Sequence, residues 1–336
     1  MPGTRIVLHI GMPNAGSSAV QYGLWRYRDE LRARGVHYYM GAKTPRFVSS
    51  GNGKDLAAFL NPRRRGPGFS EAVFERTFAE RFLSSAHPVS IISAEQLAGA
   101  AAEPLETLRR ELIGAYEVQV VGFIRDLYGH ARSSWMQQIK RQAYVEGFAH
   151  YVRKSYGDMQ CGAALRFGRV FGFGNVSLIH LESLKEDMFE AFLRAVGIPG
   201  GFGPLPRVNR GLSPAEVGAL RLCNRIHRST EWATCISDRL LEARAEGPRA
   251  PVWSAGLAAE IEARHRGRID RVNLRFFANA PVLQVAREPQ ASAKAREDVL
   301  RVWGAIMALL AREAWRRVWT RCGLMLRRLD RRPRVV

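Results

Sequence analysis

Residues 5–24, RIVLHIGMPNAGSSAVQYGL, read as an apolar strand, a glycine-bounded turn and an amphipathic helix opened by two hydroxyl residues. Ile6, Val7, Leu8 and Ile10 form a short buried-strand run, and Gly11 to Gly16 make the turn. Ser17 and Ser18 then fall where the unpaired N–H groups of a helix's first turn point outward, a place that favours an anion.

A second stretch repeats the strand-to-helix pattern. In VQVVGFIRDLYGHARSSWMQQIK, residues 118–140, Val118, Val120, Val121, Phe123 and Ile124 make a strand. Arg125 leaves its C-terminal end, the edge where open parallel sheets bind ligands, and Ser133 follows about two helical turns later. Strands are expected near 5–10, 89–93, 118–124 and 175–181, with helices near 17–34, 103–113, 127–142, 158–171, 183–196 and 214–228. This alternation predicts an α/β fold with a mainly parallel central sheet flanked by helices, and a helical C-terminal portion after Leu212. Residues 41–70 are punctuated by Gly and Pro, with Arg63, Arg64 and Arg65 in one turn, and read as a loop-rich insertion.

Gly11 and Gly16 have the spacing of the nucleotide-binding loop G-x-x-x-x-G-K-[ST], but Ser17 stands where its lysine belongs, so an ordinary P-loop ATPase or kinase is not expected. The segment instead resembles the 5′-phosphosulfate loop, P-K-T-G-[ST]-[ST], of bacterial sulfotransferases that use 3′-phosphoadenosine 5′-phosphosulfate (PAPS). Here it reads Pro13, Asn14, Ala15, Gly16, Ser17, Ser18. Residues 118–140 are similar to the family's 3′-phosphate segment, with Arg125 and Ser133 in the phosphate-binding places and Trp135 in that of an aromatic. VSIISAEQL, residues 89–97, resembles the family's S-S-E element and puts Glu95 at a strand end. VNRGLSPAEVGALRLCNR, residues 208–225, resembles its N-R-S-L-S-P segment, with Gly211 for a serine and Arg210 as a further cation. The likeness covers most of residues 4–285. It implies a P-loop-like sulfotransferase architecture, PAPS as co-substrate and no metal.

The chemistry so implied is in-line transfer of a sulfuryl group to a hydroxyl or amine. It requires donors or cations on the oxygens, a base for the acceptor proton, and positioning. The amides of residues 16–18 and the two hydroxyls supply donors; Arg125, Arg210 and Lys140 supply charge. Glu95 is the first candidate for the base and His9 the second, although a histidine within an apolar strand also reads as a hydrogen-bonded core residue. Glu95 reads equally as a first-turn helix carboxylate. Asn14 opposes activity, because the family's lysine follows charge onto the leaving oxygen and an amide imitates it only in part. Lys43 and Lys54 are the candidate substitutes. The alternative is a catalytically silent homologue that binds a nucleotide or a partner.

The 336 residues carry a net charge of +20, which ordinarily points to nucleic acid or an acidic surface. Of the 51 basic residues only six are lysine, leaving 45 arginines, and this bias reads as genome composition. No nucleic-acid-binding motif accompanies it, so nucleic acid is not an expected partner. The expected acceptor is a carbohydrate, lipid or small metabolite. Cysteines 161, 223, 235 and 322 show no metal-ligand spacing and are expected as thiols. With a core strand from residue 5 and no apolar run of membrane-spanning length, the expected location is cytoplasmic. Residues 1–285 are expected to form the α/β domain and 286–336 a basic amphipathic helical tail. Leu300, Trp303, Met307, Leu310, Ala314 and Val318 follow helical spacing there, and between residues 300 and 336 ten arginines stand against Glu313 and Asp330. Such a helix suits packing on the domain or a second subunit, and offers peripheral contact with an anionic membrane surface.

Overall fold

A computed structural model of the chain describes residues 5–40, 51–83, 86–185, 187–205, 212–243 and 253–285, together with positions 303, 304, 307, 308 and 311. Five strands, β1 (Arg5–Ile10), β2 (Val36–His37), β3 (Val89–Ala94), β4 (Glu117–Ile124) and β5 (Val176–His180), form one sheet in the order β2-β3-β1-β4-β5. Every pairing is parallel. Helices α1 (Ser17–Arg26) and α2 (Arg28–Ala33) connect β1 to β2. Between β2 and β4 come α3 (Lys54–Phe59), α4 (Glu71–Phe78) and α5 (Ala102–Thr107). α6 (Leu127–Gln142), α7 (Phe148–Lys154) and α8 (Met159–Phe171) lead to β5, and α9 (Met188–Ala195), α10 (Pro214–His227), α11 (Thr230–Ala243) and α12 (Ala255–Phe276) follow it.

The sheet is α/β, as its apolar runs predict, because a parallel strand covered on both faces needs side chains that tolerate burial on both. Ile6, Val7, Leu8 and Ile10 of β1 are buried, as are Val120, Val121, Phe123 and Ile124 of β4. Three local expectations change. The helix expected over 17–34 breaks at Tyr27, whose ring packs against Phe189 and Phe202 and whose hydroxyl donates to the Gly203 carbonyl. β2 is two residues long and is defined by its pairing with Val89 and Ser90. Within the stretch read as a loop-rich insertion, Lys54–Phe59 is helical and sinks Leu56 and Phe59 into the core; residues 41–50 lie outside the described residues.

The chain divides into two compact units. The first, Met1–Ser134, Val152–Asn209 and Ser254–Arg287, holds the sheet. The second, Trp135–Tyr151, Arg210–Trp253 and Glu288–Val336, includes α10 and α11. In the second unit, buried Asn224 of α10 donates to the carbonyls of Ile139 and Tyr144, and Arg141 pairs with Asp238 at 2.6 Å. The Leu-Ser-Pro part of residues 208–225 is a helix start. Ser213 accepts from the Glu216 N–H, the Glu216 carboxylate accepts from the Ser213 N–H, and Pro214 takes the first turn, where no amide is needed.

Most of the expected tail lies outside the described residues; positions 303, 304, 307, 308 and 311 are helical, and Met307 is exposed. Among the described residues no helix is long and apolar enough to cross a membrane.

Candidate phosphate-binding site at the ends of β1 and β4

The strand order fixes where a ligand fits. From β1 the chain moves toward β3 and β2, and from β4 it moves the other way, to β5. Parallel connections that leave in opposite directions make this a switch point of the sheet, and open parallel sheets bind ligands beyond the C-terminal strand ends at such a point, here those of β1 and β4. The turn 11–16 and Arg125 both lie at that edge.

The turn is held tightly. Gly11 donates its N–H to the Ala94 carbonyl at 3.0 Å, and a Cβ on Gly11 would lie 2.5 Å from the Glu95 Cα. Asn14 has φ 61°, in the left-handed region that asparagine tolerates better than most residues, and Gly16 has φ 88°. Gly16 is the N-cap of α1, and no side chain caps the helix. The Ala19 N–H donates to the Gly16 carbonyl at 2.9 Å, and among the described residues the N–H groups of residues 16–18 meet no acceptor, with the positive end of the helix dipole behind them. Ser17 is buried and donates its hydroxyl to the Met12 carbonyl at 3.2 Å, while Ser18 is half-buried. Ala15 is fully buried and its N–H is bonded to Met12, so it offers a ligand neither side chain nor amide. Pro13 is partly exposed and has no N–H to give.

Arg125 joins this turn to α6. Its Nη1 donates to Ser133 Oγ at 3.0 Å and to the Asn14 carbonyl at 3.3 Å, and its Nε donates to Glu182 Oε1 at 3.3 Å. Fully buried Gln160 clamps the Arg125 backbone, accepting from its N–H at 3.2 Å and donating to its carbonyl at 2.6 Å. Gly129 leaves room for the guanidinium, since a Cβ there would meet Nη2 at 2.9 Å. Asn14 donates its amide to Ser134 Oγ at 3.1 Å. Arg125, Ser133 and the Asn14–Gly16 turn thus come together, as their positions in sequence predict. Ser134, Gln160 and Glu182 were not foreseen; Ser134 was visible only as the second serine of the Ser-Ser pair.

Glu95 is half-buried in the first turn after β3, with its backbone against Gly11. His9 is placed elsewhere than beside a substrate. It is fully buried, its Nδ1 bonded to Ser93 Oγ at 2.8 Å and its ring edge-on to Phe123 and Phe192. The structure corrects the expectation of His9 as a base, because no face of the ring reaches solvent. Lys140 belongs to the second unit, where burial and the Arg141 charge lower its pKa to about 8. Lys54 is exposed at the start of α3. Arg210 and Lys43 lie outside the described residues.

Two buried histidines make stability depend on pH. Burial lowers His9 from 6.5 to about 3; burial and the Arg125 charge lower His130 from 6.5 to about 4, against the pull of the Pro13 carbonyl. Both folded pKa values lie below the unfolded value, so the unfolded chain binds more protons below pH 6.5. Their contribution to stability is flat above that pH and falls as pH drops toward 4, by on the order of 1.4 kcal/mol per pH unit for each histidine. Urea unfolding at pH 7 and pH 5 is expected to show this loss, and His9→Leu to reduce the slope by about half.

Asp126, His180 and Glu182 bring ligand-type atoms within 4.8 Å of one another. These atoms already satisfy each other and their neighbours. Asp126 Oδ1 takes His180 Nε2 at 3.0 Å and the Gln284 N–H at 3.0 Å, while Glu182 takes the Asp126 N–H and Arg125. The cluster is a hydrogen-bonded brace that ties residues 284–285 to the end of β4, where the Leu127 and Tyr128 N–H groups donate to the Gln284 and Val285 carbonyls.

No protein-family model matches the chain, and no curated protein matches it. Among solved structures, a crystal structure of a sulfotransferase from Alicyclobacillus acidocaldarius matches with a TM-score of 0.39 and 16% identity, over 68% of this chain and 97% of that one. A likeness at that level does not assign the chain to a family.

Proposed function

We propose that the chain binds an adenosine 3′,5′-bisphosphate nucleotide across the ends of β1 and β4 and transfers a sulfuryl group from PAPS to a hydroxyl or amine. The observation that carries this reading is the convergence of two anion sites, the uncapped start of α1 and the Arg125–Ser133 pair, joined by the Arg125 bond to the Asn14 carbonyl. The residues fit the group: the open amides suit a 5′-phosphosulfate, and a guanidinium paired with a hydroxyl suits a 3′-phosphate. PAPS supplies the sulfuryl group and a stable leaving group. The amides of residues 16–18 hold the anion and take up charge on its oxygens, and Arg125 with Ser133 fixes the nucleotide. Glu95, beside the turn, receives the acceptor proton as the new bond to sulfur forms and the bond to the phosphate oxygen breaks. The acceptor class, a carbohydrate, lipid or small metabolite, and a cytoplasmic location belong to the same reading.

Calorimetric titration with adenosine 3′,5′-bisphosphate tests it. Micromolar binding is expected, and no binding at millimolar nucleotide rejects it.

A second reading, nucleotide binding without transfer, is favoured by Asn14, whose amide is already bonded to Ser134. Asn14→Lys separates the two. The left-handed φ costs lysine about 1 kcal/mol, so a small loss of stability accompanies the change. A gain of tenfold or more in PAPS turnover to adenosine 3′,5′-bisphosphate is expected if only the charge is missing. Turnover absent in both proteins, with nucleotide binding intact, selects the silent reading.

A further inference from the structure

Glu182 is the feature of this site that a phosphate reading does not explain. It stands on the turn after β5, and the register that pairs Ile124 with His180 brings it beside Arg125. Two donors hold its carboxylate, Arg125 Nε at 3.3 Å and the Asp126 N–H at 3.1 Å, and His180 Nε2 lies 3.3 Å from it. His180 is itself fixed, with Nε2 toward Asp126 at 3.0 Å and Nδ1 toward Ser183 Oγ at 2.7 Å, an arrangement the Nε2–H tautomer satisfies with Ser183 as donor. The carboxylate is therefore locked in place before any ligand arrives. Among the described residues no acceptor reaches Arg125 Nη2, whereas Nε and Nη1 are engaged.

An anion brought to Arg125 meets a neighbouring negative charge that cannot swing away. A sugar hydroxyl meets a matched pair, able to accept from Nη2 and donate to Glu182. Acidic side chains select ribose hydroxyls and arginines accommodate ribose phosphates in other nucleotide sites, and here both stand together. We propose that Glu182 is a specificity-determining residue for the 3′ position of the nucleotide: held beside Arg125, it favours a 3′-hydroxyl and penalises a 3′-phosphate. This rests on the nucleotide reading above, and it narrows the advantage that the bisphosphate would otherwise hold over adenosine 5′-monophosphate.

The test is calorimetric titration of the wild type, Glu182→Gln and Glu182→Ala with each of these two nucleotides. Glutamine keeps an oxygen for the Asp126 N–H while removing the charge; alanine removes both and serves as the second variant. The ratio of bisphosphate to monophosphate affinity is expected to rise at least tenfold in each variant, chiefly through tighter bisphosphate binding. An unchanged ratio with binding retained overturns the inference and leaves the nucleotide site standing. Equal weakening of both ligands also overturns it, by making Glu182 a structural brace. No binding of either nucleotide to any of the three proteins rejects the site and the inference together.

Discussion

Arg125→Ala is expected to weaken adenosine 3′,5′-bisphosphate binding by about 100-fold, or roughly 2.7 kcal/mol, while leaving the fold intact. The guanidinium is partly exposed, and neither its carboxylate partner nor the backbone that carries it depends on it alone. Glu182 retains the Asp126 N–H, and the backbone at position 125 stays clamped by Gln160. The loss therefore falls on the ligand. Arg125→Lys is the informative companion, because a lysine supplies the charge without the planar fork that bonds Ser133, the Asn14 carbonyl and Glu182 at once. It should recover only a small part of the affinity. Titration calorimetry alongside thermal unfolding checks both statements: equal losses of affinity and melting temperature would mean that Arg125 serves the fold instead.

Gly11→Ala has the larger expected effect on stability. A new Cβ would meet Ser17 Oγ at 2.9 Å and two backbone atoms, the Glu95 Cα at 2.5 Å and its N at 2.9 Å, and neither backbone atom can rotate away. Both chains are pinned there, since Ile10 pairs with Ala94 in the sheet and Gly11 donates to Ala94. Relief requires separating β1 from β3 at the mouth of the site. Overpacking against fixed backbone costs about 3 kcal/mol or more, a fall in melting temperature of roughly 6–12 °C for a domain of this size. Nucleotide binding should vanish with it. Gly16 provides the contrast. A Cβ there would collide with the Met188 side chain, whose end can rotate aside, so Gly16→Ala carries mainly the left-handed φ penalty of about 1–2 kcal/mol. Thermal unfolding of the two variants separates these costs, and a Gly16 variant less stable than the Gly11 variant would refute the ordering.

The central strands were legible because parallel strands covered on both faces leave a mostly apolar run, as in residues 6–10 and 120–124. The edge strand β2 was not, since two residues carry no period and acquire their conformation from β3. The break at Tyr27 was equally hidden, being set by contacts with residues more than 160 positions away. The coming together of Asn14, Arg125 and Ser133 was readable because each lies at a strand end or a fixed helical spacing from one. Glu182 lies 57 positions beyond Arg125, and only the β4–β5 pairing makes them neighbours. His9 shows the opposite error. Its residue type suggested chemistry, while its place in a doubly covered strand put it in the core with a pKa near 3. The Leu-Ser-Pro segment is accounted for by helix capping, which explains its residue pattern without any ligand.

The most direct test is a crystal structure of the protein with adenosine 3′,5′-bisphosphate bound. The 5′-phosphate is expected within hydrogen-bonding distance of the N–H groups of residues 16–18, and the 3′-phosphate on Arg125 and Ser133. A nucleotide bound away from the ends of β1 and β4, or one with its 5′-phosphate on Arg125, would contradict the account.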